Sequence, residues 1–72
     1  MNKIKFKTQC ELELVDEFDG VSDSLGTFNQ IFNEGEEYEV DITREGSKSI
    51  DIQFGDGSMA YNVWFELVEI IV

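Results

Sequence analysis

The sequence predicts a mainly β fold, with residues 1–72 forming a single domain of five short strands that close into a small barrel. Three observations support this prediction. Apolar and polar residues alternate in several segments, glycine-containing turns separate those segments, and a long connection follows the first strand. Seventy-two residues suffice for one domain. One cysteine and no histidine leave neither an internal disulfide nor a zinc site to assist apolar packing.

The first strand is predicted over residues 4–14, where the even positions are apolar or small and the odd positions are charged or Gln. Cys10 falls on the buried face, and we interpret it as a small core residue rather than a nucleophile. The exposed face carries lysines at one end and glutamates at the other. This polarity predicts cross-strand pairing of the lysines with acidic neighbours.

Residues 16–26 are acidic, small and interrupted by Gly, which is typical of a loop. Two interpretations remain open for the segment that follows. Phe28, Ile31 and Phe32 have the i, i+3, i+4 spacing of a short helical turn over residues 28–33. The alternative is an extended hairpin arm with Phe28 and Phe32 pointing into the core.

Period-two alternation then returns in the segments 36–43, 49–54, 58–63 and 68–72. It predicts the following inward side chains: Tyr38, Val40, Ile42, Ile50, Ile52, Phe54, Met59, Tyr61, Val63, Val68, Ile70 and Val72. "GDG" at residues 55–57 tolerates the positive φ of a tight hairpin turn. Residues 64–67 interrupt the alternation, which predicts an irregular turn before the last strand.

The stretches "FNEGEEYEV", "IDIQFGDGSMAYNV" and "WFELVEI", within residues 32–70, resemble SH3-like small β-barrel domains. The chain also looks like small proteins carried by bacteriophages, in which "GEEYEV" and "FGDGS" type stretches recur. Peptide-binding SH3-like domains use exposed aromatic residues beside acidic loops. The corresponding candidates here are Tyr38, Tyr61 and Trp64, of which the alternation places both tyrosines in the core. The resemblance therefore implies a fold more than a function.

The formal net charge is −11, and from residue 8 onward sixteen acidic residues stand against two basic ones. Such a surface repels nucleic acid and anionic membranes, so we expect a protein partner or a second copy of the chain instead. The single cysteine and the lack of a continuous apolar leader favour a cytoplasmic location, in the host cell if the protein is phage-encoded.

Catalytic and metal chemistry find little support in the residue types. There is no histidine, "FGDGS" lacks the spacing and the Lys of a phosphate loop, and carboxylate pairs arise by chance in so acidic a chain. We therefore expect no enzyme activity and no cofactor. The loop offers Asp16, Asp19 and Asp23 to calcium, but the EF-hand spacing is absent. A solvated loop is the preferred interpretation, and calcium binding is the second alternative function.

The C-terminal end is the candidate interface. Neighbouring residues on a strand point to opposite faces, so Trp64 and Phe65 enter the core together only if a turn folds both inward. Ile71, between two inward residues, has the same difficulty. An exposed aromatic side chain and Ile71 would form an apolar patch. The leading hypothesis is a non-catalytic protein-interaction module that self-associates through this end, although the turn and the long loop would cover the patch in the alternative case.

The acidic surface supplies the first alternative function. Outward carboxylates are predicted along the strands and near the C-terminus at Glu37, Glu39, Asp41, Asp51, Glu66 and Glu69. Rows of carboxylates on a rigid domain imitate a phosphate backbone, so the chain would act as an acidic decoy for a basic, nucleic-acid-binding host protein.

Overall fold

The computed structural model describes residues 2–16 and 26–71, which contain strands, turns and bends. The strands are β1 (Asn2–Phe6), β2 (Cys10–Val15), β3 (Thr27–Phe32), β4 (Glu37–Glu45), β5 (Ser49–Phe54), β6 (Met59–Trp64) and β7 (Val68–Ile71). They form one antiparallel sheet in the order β3-β2-β6-β5-β4-β1-β7. The mainly β prediction is confirmed. The predicted five-stranded closed barrel differs from this seven-stranded sheet, whose end strands β3 and β7 do not pair with each other.

The predicted first strand is divided into β1 and β2 by a bend at residues 7–9. β1 pairs with β4 and β7, whereas β2 pairs with β3 and contacts β6. The chain therefore changes partners at the bend. Ile4, Phe6 and Leu14 are buried as the alternation predicts, but Thr8 lies in the bend and is exposed.

β3 is the extended arm of a hairpin, and the helical turn over residues 28–33 was the wrong alternative. All six residues of β3 pair with β2 in regular register, which satisfies more backbone groups than one isolated helical turn. Phe32 is buried, as the extended alternative requires. Phe28, however, is 41% exposed, because it lies at the end of the hairpin near the long connection.

The core lies on the face of the sheet that carries the even-numbered residues of every strand except β6. Its buried apolar side chains are Ile4, Phe6, Leu14, Phe32, Val40, Ile50, Ile52, Ala60, Val63 and Val68. The rings of Phe6 and Phe32 are stacked with centroids 4.4 Å apart, and Tyr38 meets Phe32 edge-on at 5.3 Å. Burial of these aromatic surfaces joins β1, β3 and β4 into one packed unit.

β6 departs from the predicted alternation because a bulge adds one residue to it. Ile50 and Ile52 of β5 lie opposite Val63 and Ala60, so three steps along β6 match two steps along β5. Asn62 lies in the bulge with φ 56°, a left-handed conformation that Asn tolerates better than most residues. Consequently Ala60 and Val63 face the core, and the prediction that Tyr61 is buried is wrong, since its side chain is 47% exposed.

The lysines of β1 pair with acidic neighbours, as the sequence predicts. Lys3 lies opposite Glu39 and Lys5 opposite Glu37 on β4, and Lys5 also faces Glu69 on β7. The Lys3 Nζ atom lies 3.7 Å from Glu37 Oε1. A strip of positive charge therefore separates two acidic strands on the exposed face.

The turn at residues 55–57 is the tight hairpin predicted from "GDG". Gly57 has φ 96°, and the Phe54 N–H donates to the Ser58 carbonyl at 2.8 Å. Asp56 Oδ1 accepts from both the N–H and the hydroxyl of buried Ser58, at 3.0 and 2.7 Å. In the described ranges no helix has the length and apolarity needed to cross a membrane.

Candidate functional site

The main candidate site is an open groove between two turns, which we call the Trp64 groove. It is lined by Ser47 and Lys48 of the β4–β5 turn and by Trp64, Phe65 and Glu66 at the end of β6, and its volume is about 540 Å³. The Phe65 N–H donates to the Lys48 carbonyl at 3.0 Å, which fixes one wall against the other. The groove is therefore built from backbone that is already hydrogen-bonded.

The β6 bulge explains why Trp64 faces outward. Since Val63 returns to the core after the bulge, the next residue must point to the opposite face. Trp64 pairs with Ser49 and remains 49% exposed. The turn at 65–67, closed by the Leu67 N–H to the Trp64 carbonyl at 2.8 Å, then carries Phe65 back against the core. Without the bulge the alternation would bury Trp64 instead.

A polar cluster joins β4, β5 and β6 next to the Trp64 groove, with Ser49 as both a member of the cluster and the cross-strand partner of Trp64. Arg44 donates to Asp51 through Nε and Nη2, at 3.0 and 3.2 Å, and Nη2 also reaches Ser49 Oγ at 2.9 Å and Asn62 Oδ1 at 3.1 Å. The Asn62 N–H donates to Asp51 Oδ1 at 2.8 Å. Because β4 also carries a bulge between Ile42 and Arg44, Asp51 lies between two bulged strands and binds both.

The environment of Asp51 favours its charged form. The Arg44 guanidinium and then the Asn62 N–H donate to its carboxylate and hold its pKa below the usual value of an aspartate, against the opposing effect of partial burial. The side chain is only 14% exposed. Asp51 was predicted as part of the outward acidic surface, but it is a bonded structural residue and presents little charge to a partner.

The three residues predicted as an interface lie in two different places. Trp64 and Phe65 line the same groove, with Trp64 exposed and Phe65 half-buried against the core. Ile71 lies on β7 opposite Lys3, outside that groove, and is half-buried. The C-terminal end therefore offers one aromatic surface, to which Ile71 does not contribute.

The other predicted acidic residues are exposed, but some have basic neighbours. Glu37, Glu39 and Glu69 flank the lysines of β1. Asp41 lies opposite Gln53, and Glu66 is at the rim of the Trp64 groove. A decoy that imitates a phosphate backbone needs a continuous row of unpaired charge. The lysine strip interrupts such a row, so the decoy hypothesis stays a prediction that this arrangement does not favour.

The calcium candidates are only partly within the described residues. Asp16 lies at the base of the long connection, where its N–H donates to the Gly26 carbonyl at 3.1 Å. Asp19 and Asp23 lie outside the described residues. Among residues 2–16 and 26–71, no three His, Cys, Asp or Glu side chains are grouped so as to hold a metal ion.

Two further titratable groups have environments that oppose nucleophilic activation. Burial raises the pKa of the Cys10 thiol, which lowers its thiolate fraction. Burial also raises the pKa of the Tyr38 hydroxyl, which donates to Glu36 Oε1 at 3.2 Å. Hydrogen bonding, first from the Asn33 N–H, lowers the pKa of Glu36 itself. The hydrogen bonds of Glu36 join residues of the β3–β4 turn to Tyr38 on β4.

The sequence signal for the Trp64 groove was the break in alternation at "WF", which left two alternatives: a turn folds both aromatic residues inward, or one of them is exposed. Lys48 and Ser47 could not be assigned to it, because their proximity depends on the β5–β6 register. Comparison with known proteins finds no matching family model, no matching curated protein and no matching solved structure. The function therefore has to be argued from the residues themselves.

Proposed function

We propose that the chain is a non-catalytic protein-interaction module whose contact surface is the Trp64 groove. The observation that carries the proposal is the exposure of Trp64, 49% accessible beside the apolar face of Phe65 in a groove of about 540 Å³. Tryptophan side chains at the centre of interfaces contribute a large share of binding free energy. A tryptophan side chain left in water contributes little to the stability of a small domain. A partner that covers this single tryptophan removes a large apolar area from water.

The charges around the Trp64 groove favour a partner with an apolar anchor and a polar or acidic flank. Lys48 lines the groove and Arg44 donates to Ser49, the cross-strand partner of Trp64, and these are the two basic residues outside the N-terminal lysines. Glu66 provides a carboxylate at the opposite rim. A polar rim of both signs fixes the orientation of a bound segment while the aromatic centre supplies affinity. The groove lining carries one residue of each sign and no excess of acidic charge.

An SH3-like architecture is a further part of the proposal. In support of it, a long β2–β3 hairpin follows the first strand, β4, β5 and β6 form a meander, and a short turn at 65–67 precedes the last strand. β7 returns to pair with β1, which brings the two ends of the described chain together. This order of elements supports an SH3-like arrangement in which the sheet stays open. The analogy with SH3-like domains adds the expectation that the chain binds a peptide, but it does not identify the partner.

The test compares three immobilised proteins as baits in bacterial lysate: the wild type, Trp64→Ala and Tyr61→Ala. Tyr61 is the matched control, because it is similarly exposed at 47% but does not line the groove. A partner retained by the wild type and by Tyr61→Ala, lost with Trp64→Ala and resistant to added salt, supports the proposal. Its purified form should bind Trp64→Ala about 30-fold more weakly, corresponding to about 2 kcal/mol.

Two results would count against the Trp64 groove. The first is a partner that binds Trp64→Ala as tightly as the wild type. The second is a partner released from the wild type by moderate salt, because screening acts on exposed charge pairs and leaves apolar contacts in place. Circular dichroism of each variant establishes that the substitution leaves the sheet folded.

A further inference from the structure

In the described part of the chain, β3 is an edge strand whose own sequence and pairing lack the features that protect an edge. It pairs with β2 over six consecutive residues in regular register, and among residues 2–16 and 26–71 no other strand lies beside it in the sheet order. Its sequence, "TFNQIF", contains no charged residue, no proline and no bulge. Natural sheets protect their edges with charge, proline, bulges or short length, because an open edge pairs with other strands.

The opposite edge of the sheet shows the contrast. β7 has four residues and places Glu69 on its exposed face, next to Lys5 of β1. A second strand approaching β7 would have to accommodate this charge within a short pairing length. The two edges of one sheet therefore differ in how they are protected, and β3 is the open one.

β3 also presents apolar side chains that its own sheet does not cover. Ile31 is 59% exposed on the outer face, and Phe28 is 41% exposed on the inner face near the end of the hairpin. These are two of the four large apolar side chains that are exposed in the described part of the chain. A strand added beside β3 would cover part of both, one on each face.

We propose that β3 pairs antiparallel with β3 of a second copy of the chain, which joins two sheets into one. An antiparallel pair of identical strands is related by a two-fold axis perpendicular to the sheet, so inward residues must lie opposite inward residues. A register centred on Gln30 meets this condition. It places Phe28 of each copy opposite Phe32 of the other, and Ile31 opposite Asn29.

The charge distribution favours a second copy at this edge over other surfaces of the chain. Each copy carries a net charge of −11, so two copies repel each other wherever acidic residues meet. β3 is uncharged along its full length, and its strand neighbour β2 carries its glutamates one strand further from the contact. The self-pairing register also buries aromatic surface symmetrically, because the partly exposed Phe28 side chain of each copy lies opposite Phe32 on the partner's strand.

The first test is the oligomeric state of Ile31→Lys, measured by sedimentation equilibrium over a wide range of concentration. The wild type should approach twice the 8.3 kDa of one chain. Lysine at position 31 lies opposite Glu11 of its own β2, so the monomer should keep its fold. Because the dimer is symmetric, Ile31→Lys changes two equivalent cross-strand pairs at once. The dimer dissociation constant should therefore rise about tenfold or more. Thr8→Lys is the matched control, since it adds the same charge at an exposed bend.

A second measurement keeps the proposal testable if Ile31→Lys fails to fold. Asn29→Cys, in a Cys10→Ala background, is treated with a short thiol-reactive cross-linker. In the Gln30-centred register the two cysteines are diagonal neighbours about 7–8 Å apart, so covalent dimers should form faster than with Thr8→Cys in the same background. A wild type that stays monomeric at every concentration, or equal cross-linking rates for the two cysteines, would overturn the proposal.

This inference is independent of the Trp64 groove and can be separated from it. Trp64→Ala should leave the dimer intact, and Ile31→Lys should leave capture of a partner by the groove intact. A dimer lost with Trp64→Ala but kept with Ile31→Lys would overturn the β3 proposal and assign self-association to the groove. The pair of variants therefore gives a different pattern for each surface.

Discussion

Asp51→Ala removes the acceptor on which the two bulged strands depend, and we expect a large loss of stability. The carboxylate accepts three hydrogen bonds, at 3.0 and 3.2 Å from Arg44 and at 2.8 Å from the Asn62 N–H. A hydrogen bond to a charged group contributes about 1.5–3 kcal/mol. The Arg44 side chain is 43% exposed, so its share is reduced to about 0–1 kcal/mol, as for surface ion pairs.

The expected loss for Asp51→Ala is therefore about 2–3 kcal/mol, most of it from the Asn62 N–H left without its acceptor. A domain of this length has a total free energy of unfolding of about 4–11 kcal/mol. The substitution should lower Tm by about 10–20 °C. Urea unfolding followed by circular dichroism and by the fluorescence of Trp64 measures the change.

Asp41→Ala provides the matched control for Asp51→Ala. It removes the same charge from an exposed position opposite Gln53 and should change stability by less than about 0.5 kcal/mol. The pH dependence gives an independent check. Because folding lowers the pKa of Asp51 below the usual pKa of an aspartate, its contribution to stability is complete above that usual pKa and is lost as the pH falls through the folded pKa. The difference in free energy of unfolding between wild type and Asp51→Ala should thus decrease below about pH 4. Equal stability of the two alanine variants at neutral pH would refute the reasoning.

Three further predictions concern other parts of the fold. Asn62→Gly should keep the stability within about 0.5 kcal/mol, whereas Asn62→Val should lower it by about 1–3 kcal/mol because φ is 56° there; equal urea midpoints would contradict this. Phe32→Ala should cost about 3–5 kcal/mol, since the ring is fully buried and stacked on Phe6, and circular dichroism should show a partly unfolded chain at room temperature. Asp56→Ala should lower the free energy of unfolding by about 1–2 kcal/mol, because it leaves the buried Ser58 N–H and hydroxyl without their acceptor. Thermal unfolding of the double variant with Ser58→Ala should show a smaller loss of stability than the sum of the losses in the two single variants.

Much of the strand content was predictable because one face of each strand is buried. Tyr38, Val40 and Ile42 on β4, and Ile50, Ile52 and Phe54 on β5, all face the core as the alternation predicts. Alternation reports burial of one face, and both strands lie in the middle of the sheet with their even residues inward. The lysine pairing on β1 followed from the same pattern, since the exposed face of a strand meets the exposed faces of its neighbours.

The departures occur where pairing partners, rather than local pattern, determine the backbone. The apolar spacing in residues 28–33 fits a helix locally, but β2 supplies six cross-strand partners that the local pattern does not encode. On β6, one extra residue reverses the face of Tyr61, and an Asn in a strand does not by itself indicate a bulge. Trp64 was foreseen as a candidate for exposure, but its groove required the β5–β6 register, which brings the β4–β5 turn beside it.

The pairing of β1 with β7 has a consequence for how the protein is made. Lys3 lies opposite Ile71 and Phe6 opposite Val68, so the first and last strands close against each other across nearly the whole chain. Contacts between residues so distant in sequence form slowly, because the intervening chain loses conformational entropy before these contacts can stabilise the fold. On the ribosome, β1 emerges before β4 and β7, and it lacks its second neighbour until β7 leaves the exit tunnel. Until then Phe6 is missing the neighbour that Val68 provides, so the sheet is complete only after β7 has been synthesised and has left the tunnel.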